Sequence, residues 1–188
     1  SMGAELVTFS PMRDEHLPEN LKGLILGGGY PELNARELEA NVSMREDIHR
    51  ALNDGMPCLA ECGGFMYLHD EMEAMDGNSY HMTGVISGRA YRTQRLNRFG
   101  YVTLTQKKEV LGMNDMGGIP AHEFHYFDSE NCGDDFDAKK PASHRKWNCI
   151  HGTDTMMAGF PHLYFYGNPK VPEAFLRKCS QYGRQDAR

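Results

Sequence analysis

Short apolar runs punctuate the first third of the chain. Residues 5–9, 24–26 and 58–60 each read as a buried β-strand, being too short for a helix and bounded by Gly or Pro. Between the second and third runs the period changes. Across residues 33–53, Leu38, Val42, Met44, Ile48 and Leu52 recur mostly four apart, which predicts one or two amphipathic helices closed by the turn Asp54-Gly55. Strand, helix, strand predicts a parallel sheet in an α/β domain. Beyond residue 62 a short helix is expected through Tyr67 and Leu68, followed by the polar turn Asp76-Gly77-Asn78-Ser79. Residues 101–104 and 123–127 alternate like strands, and residues 131–149 are polar enough to predict a surface excursion. Strand-like stretches at 155–160 and 163–166 lead into a closing helix over 171–181. There is no internal repeat and no low-complexity tract.

A length of 188 residues suits one domain with a continuous core. The formal net charge of −6 argues against a nucleic-acid or anionic-membrane surface, which concentrates Lys and Arg, and favours a small soluble substrate. Five Cys, at 58, 62, 132, 149 and 179, make an odd number with no secretory pattern, so a reducing, cytoplasmic setting is expected. No apolar run approaches the roughly 20 residues that span a bilayer.

Chemistry concentrates in three places. In Ala60-Glu61-Cys62-Gly63-Gly64, small residues two before and two after Cys62 are what a nucleophile on a sharp strand-to-helix turn requires, and the helix mouth favours a thiolate. Taken alone, the stretch fits equally a buried Cys beside glycines that turn the chain. Cys58, inside the apolar strand, reads as core. The second place is Gly27-Gly28-Gly29-Tyr30-Pro31-Glu32, where bare backbone amides can approach a ligand or hold an oxyanion. It lacks the Lys and the Ser or Thr of a phosphate loop, and a plain tight turn explains it equally well. The third is His162, in Phe160-Pro161-His162-Leu163. Alone, such a His is commonly a core residue; beside a Cys elbow, a glycine turn and a parallel sheet it becomes the natural base for a thiol.

Together these motifs carry a resemblance. The glycine turn with its Tyr-Pro-Glu, the Glu-Cys-Gly-Gly elbow, Phe9-Ser10-Pro11, Gly100-Tyr101 and His122-Glu123-Phe124-His125-Tyr126 make the chain similar to the glutamine amidotransferase domain of cobyrinate a,c-diamide synthases, within the class I Cys-His amidotransferases. The resemblance implies a flavodoxin-like, three-layer fold built on a parallel sheet. It implies that Cys62 attacks the side-chain amide of glutamine and that His162 moves the proton. Amides of Gly28, Gly29 and Gly63 would hold the oxyanion, with His122, Glu123 and His125 lining the substrate. The domain itself would need no cofactor and no metal. Ammonia would pass to an N-terminal synthetase domain, absent from these residues, that binds ATP, Mg2+ and a tetrapyrrole acid.

Three departures qualify the match. Class I enzymes commonly place Glu two residues after the catalytic His; Tyr164 stands there, which leaves it as the candidate orienting residue. Ala121 precedes His122 where the family tends to have Gly. The family's domain also opens with a further strand and helix before the position of Gly3, so a gap in the sheet is expected. His122 and His125 are three apart on a strand, pointing to opposite faces, so joint metal ligation is not expected. Arg89, Arg92, Arg95 and Arg98 read as a solvated face. Two rivals remain at this stage: another Cys-His hydrolase or peptidase on the same fold, and an inactive module that docks to a synthetase.

Overall fold

The computed structural model describes residues 2–96 and 98–183. Its parallel unit forms where the apolar runs predict it. β1 (Leu24–Leu26) leads through a 3-10 turn at Pro31–Leu33 to α1 (Ala35–Ala40) and α2 (Val42–Asn53), and the chain returns as β2 (Cys58–Glu61). β2 is parallel to β1, with Leu24 opposite Cys58 and Leu26 opposite Ala60. α2 is held by Met44 and Ile48, four apart and both at 0% exposure, and is capped by Asn41, whose side-chain oxygen accepts the Met44 N–H. The same Asn41 donates to the carbonyls of Pro11 and Asp14, tying the N-terminal segment to this helix.

After β2 come α3 (Gly63–Tyr67), β3 (His69–Glu73), β4 (Ser79–His81), β5 (Ile86–Arg92), β6 (Arg98–Gln106), β7 (Ile119–His125) and β8 (Phe127–Ser129). The last part holds β9 (Phe136–Lys139), β10 (Lys146–Cys149), β11 (His151–Gly152), β12 (Met156–Gly159), β13 (His162–Leu163) and α4 (Lys170–Gln181). Among the described residues the strands form three sheets. One is β1-β2-β12-β11, parallel except for β11; the second is the antiparallel β10-β9-β6-β7-β13; the third is β4-β3-β5-β8.

β2 shows why the fold is layered. Cys58 and Ala60 face one core with Met44, Ile48 and Phe65, while Leu59 faces the other with Leu104, Val171 and Phe175. A strand buried on both faces needs an unbroken apolar run, and Cys58-Leu59-Ala60 supplies it. The parallel sheet is therefore the middle of three layers, with α1 and α2 on one side and the antiparallel sheet and α4 on the other. Among the described residues the parallel part is three strands wide.

Three expectations fail in detail. Residues 5–9 have no ladder partner among the described residues, with Leu6 81% and Val7 55% exposed, although β1 has an open edge nearby; β-propensity alone does not make a strand where the side chains bury no face. Among the described residues the outer edge of β1 has no strand partner, and a cavity of about 350 Å³ lies between it and Phe9, Pro11 and Met12. Residues 131–149 are not a surface excursion. They contain the β9–β10 hairpin, whose Phe136 and Ala138 are fully buried on alternate positions, the outward positions being polar. Residues 163–166 are strand only at Leu163, then turn as a 3-10 segment at Phe165–Gly167. None of the described helices is long and apolar enough to cross a membrane.

Candidate active site

Cys62 follows β2 directly, with φ 48° and ψ −103°, a region that non-glycine residues rarely occupy and that costs about 1–3 kcal/mol. The surrounding hydrogen bonds enforce it. The Cys62 N–H donates to the Gly159 carbonyl at 2.9 Å, extending the β2–β12 ladder by one residue, and the Gly64 N–H donates to the Gly27 carbonyl at 3.0 Å. Small residues are required at both glycines of the elbow. A Cβ on Gly64 would stand 2.1 Å from the Leu26 oxygen, and one on Gly63 would stand 3.0 Å from the nitrogen of Gly29. The elbow and the glycine turn are thus stitched backbone to backbone, and α3 starts against β1.

His162 reaches the elbow because Phe160 and Pro161 carry the chain from β12, beside β2, to β13, which pairs with β7 through His162 opposite His122. Its imidazole lies over Gly28, where a Cβ would stand 2.6 Å from Cε1. Hydrogen bonding to Cys62, then to Glu61, pushes the His162 pKa up to about 10 from an ordinary 6.5. Cys62 is 8% exposed, while the His162 side chain is 37% exposed, so the nucleophile is shielded and the base faces the opening. The Gly28 and Gly29 amides donate no hydrogen bond among the described residues.

Of the residues singled out in the sequence, Cys62, His162, Gly28, Gly29, Gly63 and His122 come together. The His122 ring is edge-on to Tyr101 at 5.2 Å and to Phe99 at 6.1 Å, which puts it on the outer face beside His162. Glu123 and His125 do not join them. They are buried behind that face, with Glu123 Oε2 on His125 Nε2 at 2.9 Å, Glu123 Oε1 accepting the Trp147 N–H at 3.1 Å, and His125 stacked on Phe160 at 4.1 Å. The strand alternation that separates His122 from His125 also removes Glu123 and His125 from any substrate-lining position. Among the described residues no three of His, Cys, Asp and Glu converge as a cation site.

Tyr164 is turned away as well. It is 58% exposed, with its ring against Tyr166 and Gly167. The group found beside His162 Nδ1 is Glu61, at 3.5 Å, which sequence reasoning passed over. One signal was available: a carboxylate closing an otherwise apolar strand, directly before the elbow. Arg98 likewise leaves the solvated face, with 18% of its side chain exposed, 3.8 Å from Asp128 and over the Trp147 ring.

The 350 Å³ cavity is lined by Gly28, Gly29, Gly63 and Gly64, with Cys62 and His162 outside its lining, and it runs along the outer edge of β1. The glycine turn is also no phosphate cradle, since the His162 ring already covers Gly28.

The chain is 38% identical over 186 residues to a cobyrinate a,c-diamide synthase of Caldanaerobacter subterraneus subsp. tengcongensis, covering 98% of the chain and 41% of that relative. It is 39% identical over 179 residues to one of Picrophilus torridus, covering 94% of the chain and 38% of the relative. The chain therefore spans about two-fifths of the length of these curated relatives. Among solved structures, a glutamine amidotransferase superposes with TM-score 0.58 at 16% identity, covering 86% of this chain and 81% of that one. A putative GMP synthase protein from Thermoplasma acidophilum superposes with TM-score 0.52 at 18% identity, covering 90% and 78%. Both support the fold. The family model for the CobB/CobQ-like glutamine amidotransferase domain matches residues 1–169, and the chain belongs to that family.

Proposed function

We propose that this chain is the glutaminase part of a glutamine-hydrolysing carbon–nitrogen ligase. The Cys62 thiolate attacks the carboxamide carbon of glutamine, and the oxygen that becomes negative is received by the amides of Gly28 or Gly29 and Gly63. His162, as imidazolium, gives its proton to the departing nitrogen, so that C–N cleavage releases ammonia and leaves a glutamyl thioester. Neutral His162 then takes a proton from water, which attacks the thioester and releases glutamate, with the sulfur leaving as thiolate and the thiolate–imidazolium pair restored. What carries this reading is Cys62 on a positive-φ elbow, beside a histidine whose pKa it raises and whose ring rests on the glycine turn.

The names of the relatives extend the proposal. Ammonia would pass to a synthetase part that uses ATP and Mg2+ to activate the a and c carboxylates of a tetrapyrrole acid such as cobyrinate. The described residues contribute the glutamine chemistry alone. Glutamate release from glutamine by the purified chain is the test. Cys62→Ser should abolish it and Cys58→Ser should leave most of it, because Cys58 is fully buried in the strand. Hydrolysis of peptides with glutamine untouched would replace the proposal with a peptidase, and equal loss in the two variants would remove Cys62 as nucleophile.

A further inference from the structure

Glu61 occupies a place in the site that the proposed chemistry does not use. It ends β2, so its backbone is fixed by pairing with Gly159, and its side chain turns toward β13 as the chain reverses at Cys62. Its carboxylate is engaged at both ends. Oε1 accepts the Leu163 N–H at 3.3 Å and Oε2 lies 3.5 Å from His162 Nδ1, while only 18% of the side chain is exposed. One carboxylate thus accepts from the backbone just after His162 and stands at ion-pair distance from the ring of His162 itself.

We propose that Glu61 is the positioning carboxylate of this site, holding the Nδ1–H of His162 so that Nε2, the other ring nitrogen, is presented to Cys62. It rests on the reading of Cys62 and His162 as the glutaminase pair. An imidazole whose Nδ1–H is held by a carboxylate keeps Nε2 as its basic nitrogen, and its cation gains a nearby counter-charge. Here the nucleophile and the carboxylate are consecutive in the chain, on the two sides of one sharp turn. A shift of the elbow therefore moves both partners of His162 together. Tyr164, two residues beyond His162, has no part in it.

The test compares the parent chain with Glu61→Gln, which is isosteric and still accepts the Leu163 N–H, and with Tyr164→Phe. In Glu61→Gln, kcat for glutamate release should fall roughly 10- to 100-fold with KM within about twofold, while Tyr164→Phe should stay near the parent. Nitrogen-detected NMR of the His162 ring and the pH dependence of iodoacetamide alkylation at Cys62 need no glutamine. Both midpoints should move to lower pH in Glu61→Gln. In the parent, the neutral ring above its midpoint should keep its proton on Nδ1. Unchanged midpoints in Glu61→Gln, or a neutral parent ring protonated on Nε2, would overturn the positioning role even if glutaminase activity is robust. Absent glutaminase activity with shifted midpoints would overturn the functional reading instead and leave Glu61 in place.

Discussion

The imidazole of His162 rests on Gly28 so closely that a single added carbon at Gly28 would stand 2.6 Å from its Cε1. The glycine turn is therefore the seat of the base as well as a source of free amides. Gly28→Ala should push the ring out of line with Cys62 and cost about 100-fold in kcat, since misplacements of this size carry penalties of that order. Gly28 is exposed and its neighbours Gly27 and Gly29 have open space around them, so the fold should be kept. Turnover and thermal midpoint measured together check this: a Tm within a few degrees with turnover lost is the expected pair. Undiminished turnover would mean the ring does not work from the position seen.

Thiol reactivity should separate the five cysteines. Burial pushes the thiol of Cys58 up to about 12, that of Cys149 to about 12 and that of Cys179 to about 11, and raises that of Cys132. Cys62 alone has an imidazolium partner. A glutamine-like chloroketone should therefore label Cys62 first, as thiolate fraction governs the rate. Peptide mapping reads the site; label found chiefly on Cys132, which is partly exposed, would refute the assignment.

Much of this site was legible in the sequence, because an elbow and a glycine turn are local. Small residues around Cys62 and three glycines after an apolar strand announce sharp backbone geometry wherever they occur. The parallel unit was legible for the same reason, from the fourfold spacing of Met44, Ile48 and Leu52. What was hidden depends on long-range pairing. Residues 131–149 look polar because the outward positions of the β9–β10 hairpin are polar, while the inward Phe136 and Ala138 gain meaning only once β6 lies beside them. Glu123 and His125 look like site residues because they are polar, yet they satisfy one another within the core. Glu61 is hard to read as an orienting group because its partner is 101 positions away, and only the folded strands bring the end of β2 beside β13.

A second histidine should make stability fall in acid. His69, at 0% exposure, donates from Nδ1 to the Phe65 carbonyl at 2.9 Å, and its Nε2 shares a hydrogen bond of 2.6 Å with the Ser129 hydroxyl. Burial lowers its pKa from 6.5 to about 4. The unfolded chain binds this proton below pH 6.5 and the folded one does not until about 4. The contribution is therefore complete above 6.5 and is lost as pH falls toward 4, about 3 kcal/mol in all. Urea unfolding at pH 7.5 and 4.5 measures it. His69→Gln, which cannot titrate, should lose distinctly less between the two pH values; equal losses would show that His69 is not the group responsible.

The pH profile of turnover should carry the mark of His162 on its alkaline side. Its pKa is raised, first by hydrogen bonding to Cys62 and then by Glu61, to about 10. The ring is thus cationic throughout the neutral range and can serve as the acid that protonates departing ammonia. That capacity disappears as pH rises through about 10, so kcat should hold on its basic side to near pH 9 and then fall. The sign for stability is the same: a raised histidine pKa stabilises fully below the unfolded value of 6.5, and the contribution is lost as pH climbs through about 10. Cys62→Ala removes the first of the two causes, so its thermal midpoint should decline less between pH 8 and pH 10 than that of the parent. The two measurements must agree. A basic limb near pH 7, with midpoints that fall alike in parent and Cys62→Ala, would mean that Cys62 and His162 do not share a proton in the folded chain, and that His162 acts on the thiol as an ordinary neutral base.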